Sequence, residues 1–96
     1  MQKTSGRVIP FSLALAVLTP FAAQAADAGA CEAYAKAAVD QVAIARAHPA
    51  CARGLQGIRW SPAFRVHFSF CMTRSAVEVD NQRGARAQFL HACGAT

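Results

Sequence analysis

Four cysteines constrain the fold of this chain more than any other feature. They stand at Cys31, Cys51, Cys71 and Cys93. An even number of cysteines in a short exported chain is typical of a disulfide framework, because a core this small is marginal without cross-links. The spacings of 20, 20 and 22 residues include no close C-x2-C pair, which argues against zinc, and no C-x-x-C-H motif for haem is present. We therefore predict two disulfides.

The first 25 residues have the pattern of a secretory signal peptide. Lys3 and Arg7 precede an apolar segment over residues 8–23, and Ala23-Gln24-Ala25 forms an A-x-A cleavage site. We predict cleavage after Ala25, which leaves a single domain over residues 26–96 that is periplasmic or secreted.

Two other uses of this N-terminal region are less favoured. A membrane anchor needs about 20 uninterrupted apolar residues, and this segment contains Pro10 and Pro20. The stretch AGAC at residues 28–31 faintly resembles a lipoprotein cleavage site, but it lacks the aliphatic residue expected before the cysteine. Lipidation of Cys31 would also leave an odd thiol in the mature chain.

The charge of the mature chain is modest. Residues 26–96 contain one lysine, seven arginines and five acidic residues, a net charge of +3. An anionic envelope component such as lipopolysaccharide is a candidate partner, as is another exported protein. No block of like charges favours such a partner, so solubility is the simpler explanation, and we expect no nucleic-acid binding.

Helical periodicity predicts an all-α domain of three helices. The first covers about residues 31–46 and is rich in alanine, and His48-Pro49 ends it. After a loop over residues 51–58, Ser61 and Pro62 predict the start of a second helix that ends near residue 72. A capping box over residues 75–78 predicts the third, which ends near residue 93. Short connections favour an up-down-up bundle. Within the third helix, Gly84 suggests close packing against a neighbour.

This topology predicts the disulfide pairing. Cys31 and Cys71 lie at one end of such a bundle, and Cys51 and Cys93 lie at the other. The nested pair Cys31–Cys93 would span the third helix, about 27 Å at 1.5 Å per residue, whereas a disulfide joins Cα atoms about 6 Å apart. We therefore predict Cys31–Cys71 and Cys51–Cys93.

The stretch RWSPAFRVHFSFC, residues 59–71, holds the candidate site. On a helical wheel His67 falls at the centre of an apolar arc, so we expect it to be buried and neutral, with Tyr34 and Gln41 as hydrogen-bond partners. A structural role is favoured. The alternative is a ligand pocket lined by Tyr34, Arg59, Trp60 and His67, in which the two aromatic rings offer faces and Arg59 binds an anion. Arg59 and Trp60 precede the helix and need not be buried with it. The candidate cluster is Tyr34, Gln41, Arg59, Trp60, His67 and Phe70.

No catalytic constellation is recognisable. The sequence offers no nucleophile beside a base and no paired carboxylates, so we predict a non-catalytic binding or structural protein without cofactor or metal. An adaptor or inhibitor of another exported protein is the alternative, and a minimal enzyme or metal protein centred on His67 is less favoured.

Three short patterns carry a resemblance. They are C-x2-Y-A-x2-A-V-x-Q from Cys31, G-x-R-W-x6-H-x2-aromatic-C from Gly57, and R-x3-L-x2-C from Arg86. Together they resemble a small four-cysteine module of exported bacterial proteins, which implies compartment and fold type but no chemistry. Phe70 stands where that module usually has tryptophan, and the segment from Cys51 to Trp60 is about two residues longer than usual.

Overall fold

The computed structural model describes residues 27–96, and the predicted signal peptide lies outside them. Four α-helices and one 3-10 turn follow in order: α1 (Ala28–Ala47), α2 (Pro49–Ala52), the 3-10 turn (Ile58–Trp60), α3 (Phe64–Thr73) and α4 (Ala76–Ala92). No strand occurs within residues 27–96, so the expected all-α class is confirmed for that part of the chain. The count differs from the predicted three helices because residues 49–52 form a short helix where α1 ends.

Helix α1 begins one turn earlier than predicted. The Asp27 side chain is its N-cap and accepts hydrogen bonds from the backbone N–H of Gly29 at 3.0 Å and of Ala30 at 3.5 Å. The helix ends as predicted, because His48 takes an extended conformation before Pro49.

Helix α3 begins later than predicted. Ser61 and Pro62 do not start it; the N-cap is Ala63 and the first helical residue is Phe64. The Ser61 hydroxyl instead accepts a hydrogen bond from the Ala63 backbone N–H at 3.1 Å. Serine side chains often make such local bonds in turns, so the same residue type that caps helices here orders the turn before one.

Helix α4 has well-defined ends. Ser75 and Glu78 form the predicted capping box. At the other end the Ala95 N–H bonds the Leu90 carbonyl at 2.8 Å, with Gly94 at φ +86°, as in a Schellman motif. The expected close packing at Gly84 is wrong: a β-carbon there would meet no atom of another element within 4 Å.

The disulfides are Cys31–Cys71 and Cys51–Cys93, the predicted pairing, with Cα atoms 5.5 and 5.3 Å apart. Each belongs to one of two clusters of buried residues. One consists of Cys31, Tyr34, Cys71 and Val79, and the other of Val42, Ala45, Cys51, Trp60 and Leu90. Since α1 contributes residues to both clusters, it packs against the core along its length.

Candidate functional site

The side chain of Arg86, on α4, connects the elements around the candidate site. It is only 1% exposed. Its Nε donates to Gln41 Oε1 at 2.6 Å, its Nη2 to the Tyr34 hydroxyl at 3.0 Å and its Nη1 to the Arg59 carbonyl at 3.5 Å. Arg86 therefore ties α4 to α1 and to the 3-10 turn.

No carboxylate balances this buried cation. All five acidic residues of the chain lie within the described residues, all are exposed, and none forms an ion pair with Arg86. Its acceptors are neutral oxygens, and its guanidinium lies 5.3 Å from the centre of the Tyr34 ring, a cation–π contact. Because a buried charge is costly unless it is compensated, the surface beside Arg86 is a favourable place for an anion.

His67 is buried as expected, at 2% exposure, but its partner differs from the prediction. Tyr34 and Gln41 bond Arg86 instead, and His67 Nε2 lies 2.7 Å from the Ser61 carbonyl oxygen. A carbonyl only accepts, so Nε2 carries the proton and the neutral ring has its lone pair on Nδ1.

The environment of His67 favours the neutral ring. Burial lowers the pKa of His67, and the nearby Arg86 charge lowers it further, while the hydrogen bond to Ser61 opposes both effects. The direction of this shift is the one that the predicted neutral histidine requires.

A groove of about 340 Å³ opens beside these residues. Its lining includes four members of the predicted cluster and two further arginines. These six residues are Tyr34, Arg59, His67, Phe70, Arg74 and Arg86. No acidic, serine, threonine or cysteine side chain contributes to its wall. The groove is therefore cationic and contains apolar surface.

The other two members of the predicted cluster do not line this groove. Gln41 lies behind it, where it accepts from Arg86. Trp60 is 8% exposed and packs against Phe89 with ring centres 4.9 Å apart, so it does not offer a face to this groove as the ligand-pocket alternative expected. The 3-10 turn explains this, because it turns Trp60 inward while the neighbouring Arg59 remains exposed.

A second groove along α3 adjoins the first. The two share Ile58, Val66, Phe70 and Arg74, and the second adds Arg65. The guanidinium of Arg74 lies 4.9 Å from the centre of the Phe70 ring. Cationic and apolar side chains therefore share this surface with the hydroxyl side chains of Ser69 and Thr73.

Helix α3 is less enclosed than the helical wheel predicts. Only His67 and Cys71 are buried on it, and Phe64 is 40% exposed. The helix is short and packs mainly against α1, with little contact to α4, so one side of its apolar arc faces the grooves instead of a neighbouring helix. The histidine at the centre of the arc is nevertheless buried.

The sequence interpretation missed the role of Arg86. Its position contains a usable signal: Val79, Arg86 and Leu90 are separated by seven and four residues, which places them on one face of α4. An arginine on the apolar face of a helix indicates a buried cation that needs acceptors from other elements.

Comparisons with protein families, curated proteins and solved structures find no match for this chain. Within residues 27–96 no three His, Cys, Asp or Glu side chains lie close enough to hold a metal ion. No helix in this part of the chain has the length and apolarity required to span a membrane.

Proposed function

We propose that this protein is an exported, non-catalytic binding domain whose ligand site is the groove beside Arg86. The observation that carries the proposal is the buried Arg86 guanidinium, which lines the groove without a carboxylate partner among residues 27–96. A fixed cation at the wall of a groove with apolar surface is a common feature of small-molecule sites.

Export is supported by the two disulfides, because such bonds persist in oxidising compartments. In this proposal the predicted signal peptide is removed after Ala25, and the three longer helices form an up-down-up scaffold. Expression of the full chain in a bacterial host and N-terminal sequencing of the protein outside the cytoplasm test export. The expected first residue is Ala26; an intact N-terminus on cytoplasmic protein would contradict it.

The chemistry of the groove supports binding over catalysis. His67 uses Nε2 to donate to Ser61, and the Tyr34 hydroxyl accepts from Arg86. The groove wall contains no carboxylate to work as a second acid or base and no serine, threonine or cysteine nucleophile. The remaining side chains are suited to hold a ligand in place.

Chemical-shift mapping tests the binding proposal. A library of neutral, anionic and cationic fragments is titrated into the purified, disulfide-bonded, ¹⁵N-labelled protein. We expect at least one class to give saturable shifts concentrated at the groove, including the Arg59 and Phe70 amides. Saturable shifts confined to residues that do not line the groove would contradict a ligand site here. The absence of saturable shifts from every class of fragment would contradict it too.

An adaptor or inhibitor of another exported protein is the second candidate. It is supported by Ile58, which lies at the edge of both grooves and is 64% exposed. A protein partner that covered the groove would bury this side chain. An Ile58→Thr variant would then lose binding of the partner protein, while small fragments would still give saturable shifts at the groove, with weaker affinity because Ile58 is part of its apolar wall.

A further inference from the structure

We propose that the groove binds a small oxyanion, a carboxylate or a phosphate monoester, attached to an apolar body. This inference rests on the proposed function, since it names the ligand class of the same site. It follows from three independent features of the groove: the sign of its charge, the hydrogen-bonding capacity of its arginines and the apolar surface between them.

The charge of the groove has one sign. Arg59, Arg74 and Arg86 line it, Arg65 extends it, and no aspartate or glutamate contributes to either wall. Three acidic residues have structural roles elsewhere, Asp27 and Glu78 at helix starts and Asp80 in an ion pair with Arg83 at 3.4 Å. An anion entering the groove therefore meets no carboxylate on its wall.

The arginines differ in what they can offer a ligand. Arg86 is held by three acceptors and supplies a fixed positive charge at the wall. Arg59 donates through Nε to Gln82 Oε1 at 2.8 Å, and no acceptor among residues 27–96 binds its terminal nitrogens. Arg74 has no hydrogen-bond or ion-pair partner among these residues and lies over Phe70. Arg59 and Arg74 are thus available for the bidentate contacts that guanidinium makes with oxyanions.

The apolar surface defines the rest of the ligand. Ile58, Val66 and Phe70 lie on the same groove wall as these arginines. A volume of about 340 Å³ is at the lower end of the roughly 300–1,000 Å³ typical of small-molecule sites. A bare inorganic anion would leave the apolar side chains uncovered, and a neutral apolar molecule would leave the arginines without an acceptor. A compact amphipathic anion satisfies both.

Four probes separate these contributions: phenylacetate, phenyl phosphate, the neutral isostere phenylacetamide, and acetate. Affinities are measured by NMR titration of the disulfide-bonded protein at fixed, low ionic strength. We expect one or both aromatic anions to bind at least about tenfold more tightly than phenylacetamide and acetate, because only they use both parts of the groove. Whichever aromatic anion binds more tightly identifies the headgroup.

Two sets of Arg→Gln substitutions test where on the protein the anion binds. Arg59→Gln with Arg74→Gln removes both available guanidinium groups, and we expect at least about a tenfold loss of affinity for the aromatic anion. Arg46→Gln with Arg53→Gln removes two exposed arginines that do not line the groove and should change affinity less than about twofold. An equal loss in both variants would contradict the groove as the anion site.

The same titration distinguishes failure of this inference from failure of the binding proposal. If phenylacetamide gives saturable shifts at the groove and neither aromatic anion binds more tightly, the groove is a ligand site but not an anion site. If none of the four probes binds, the anion inference is overturned, and the fragment library decides whether the groove binds another class.

Discussion

The Nη2 atom of Arg86 donates a hydrogen bond to the Tyr34 hydroxyl at 3.0 Å, although 52 residues separate them in the chain. Both side chains are buried, and both line the groove. The hydrogen bond between Arg86 and Tyr34 therefore belongs both to the core and to the candidate site. Substitutions at Arg86 are expected to affect stability and binding together. Arg59 and Arg74, which are exposed, allow binding to be tested separately.

Replacement of Arg86 by lysine is expected to destabilise the protein by about 1–3 kcal/mol, because an ammonium group does not reproduce three hydrogen bonds from one planar group. Arg83→Lys is the matched control, since Arg83 also lies on α4 near the Tyr34 ring but is half exposed. Its ion pair with Asp80 is at the surface, and we expect a change below about 0.5 kcal/mol. Urea denaturation measures both; equal losses would contradict a special role for Arg86.

Acid is expected to destabilise the protein partly through His67. The pKa of His67 is lowered in the folded state by burial and by the Arg86 charge, whereas the unfolded state has a value of about 6.5. As the pH falls below about 6.5 the unfolded chain takes up a proton that the folded protein resists, so stability is full above this pH and declines below it.

His67→Gln tests this pH dependence, because glutamine still has an N–H to donate to Ser61 but does not titrate. Unfolding free energies of both proteins are compared at pH 7.5 and pH 5. We expect the wild type to lose more stability than the variant over this interval. Equal losses would assign the pH dependence to other groups.

Gly84→Ala is expected to stabilise the protein by about 0.5–1 kcal/mol, since the position is inside α4 and a methyl group there meets no atom of another element within 4 Å. Gly94→Ala provides the opposite control. At φ +86° an alanine is strained, and we expect a loss of about 1 kcal/mol. Thermal unfolding followed by circular dichroism measures both. A loss at Gly84 would indicate a constraint outside the described contacts.

Removal of either disulfide is expected to cost about 2–4 kcal/mol, because the bonded cysteines are 40 and 42 residues apart and each bond restricts the unfolded chain. The variants replace Cys31 and Cys71, or Cys51 and Cys93, by serine in pairs, so that no unpaired thiol remains. Guanidinium denaturation gives the losses, and peptide mapping of the unreduced wild type checks the pairing. A linked Cys31–Cys93 peptide would contradict the fold.

Helix boundaries depend on local signals, so the sequence predicts the three longer helices and their order, and the disulfide pairing follows from that order. The capping box at Ser75 and Glu78, the proline after His48 and the alanine content of α1 each act within a few residues. The predicted start of α3 is wrong because a serine hydroxyl can either cap a helix or form a hydrogen bond within a turn. The sequence does not show that the Ser61 hydroxyl accepts from the Ala63 N–H before the helix.

The sequence predicts which residues belong to the candidate site better than it predicts the contacts between them. Tyr34, Arg59, His67 and Phe70 do line one groove. Tyr34 and Gln41 bond Arg86, which is 52 and 45 residues away from them in the chain, and no local pattern encodes such distant pairings. Trp60 is buried against Phe89, which is 29 residues away in the chain, and this contact is likewise not a local one.

Intermolecular nuclear Overhauser effects test the central claim, that the groove beside Arg86 is the ligand site, most directly. The tighter-binding aromatic anion is added to isotope-labelled protein, and contacts from its ring protons are assigned. We predict contacts to Phe70 and Val66, which lie on the groove wall. Contacts only to exposed apolar residues that do not line the groove, such as Phe64 or Val77, would contradict it.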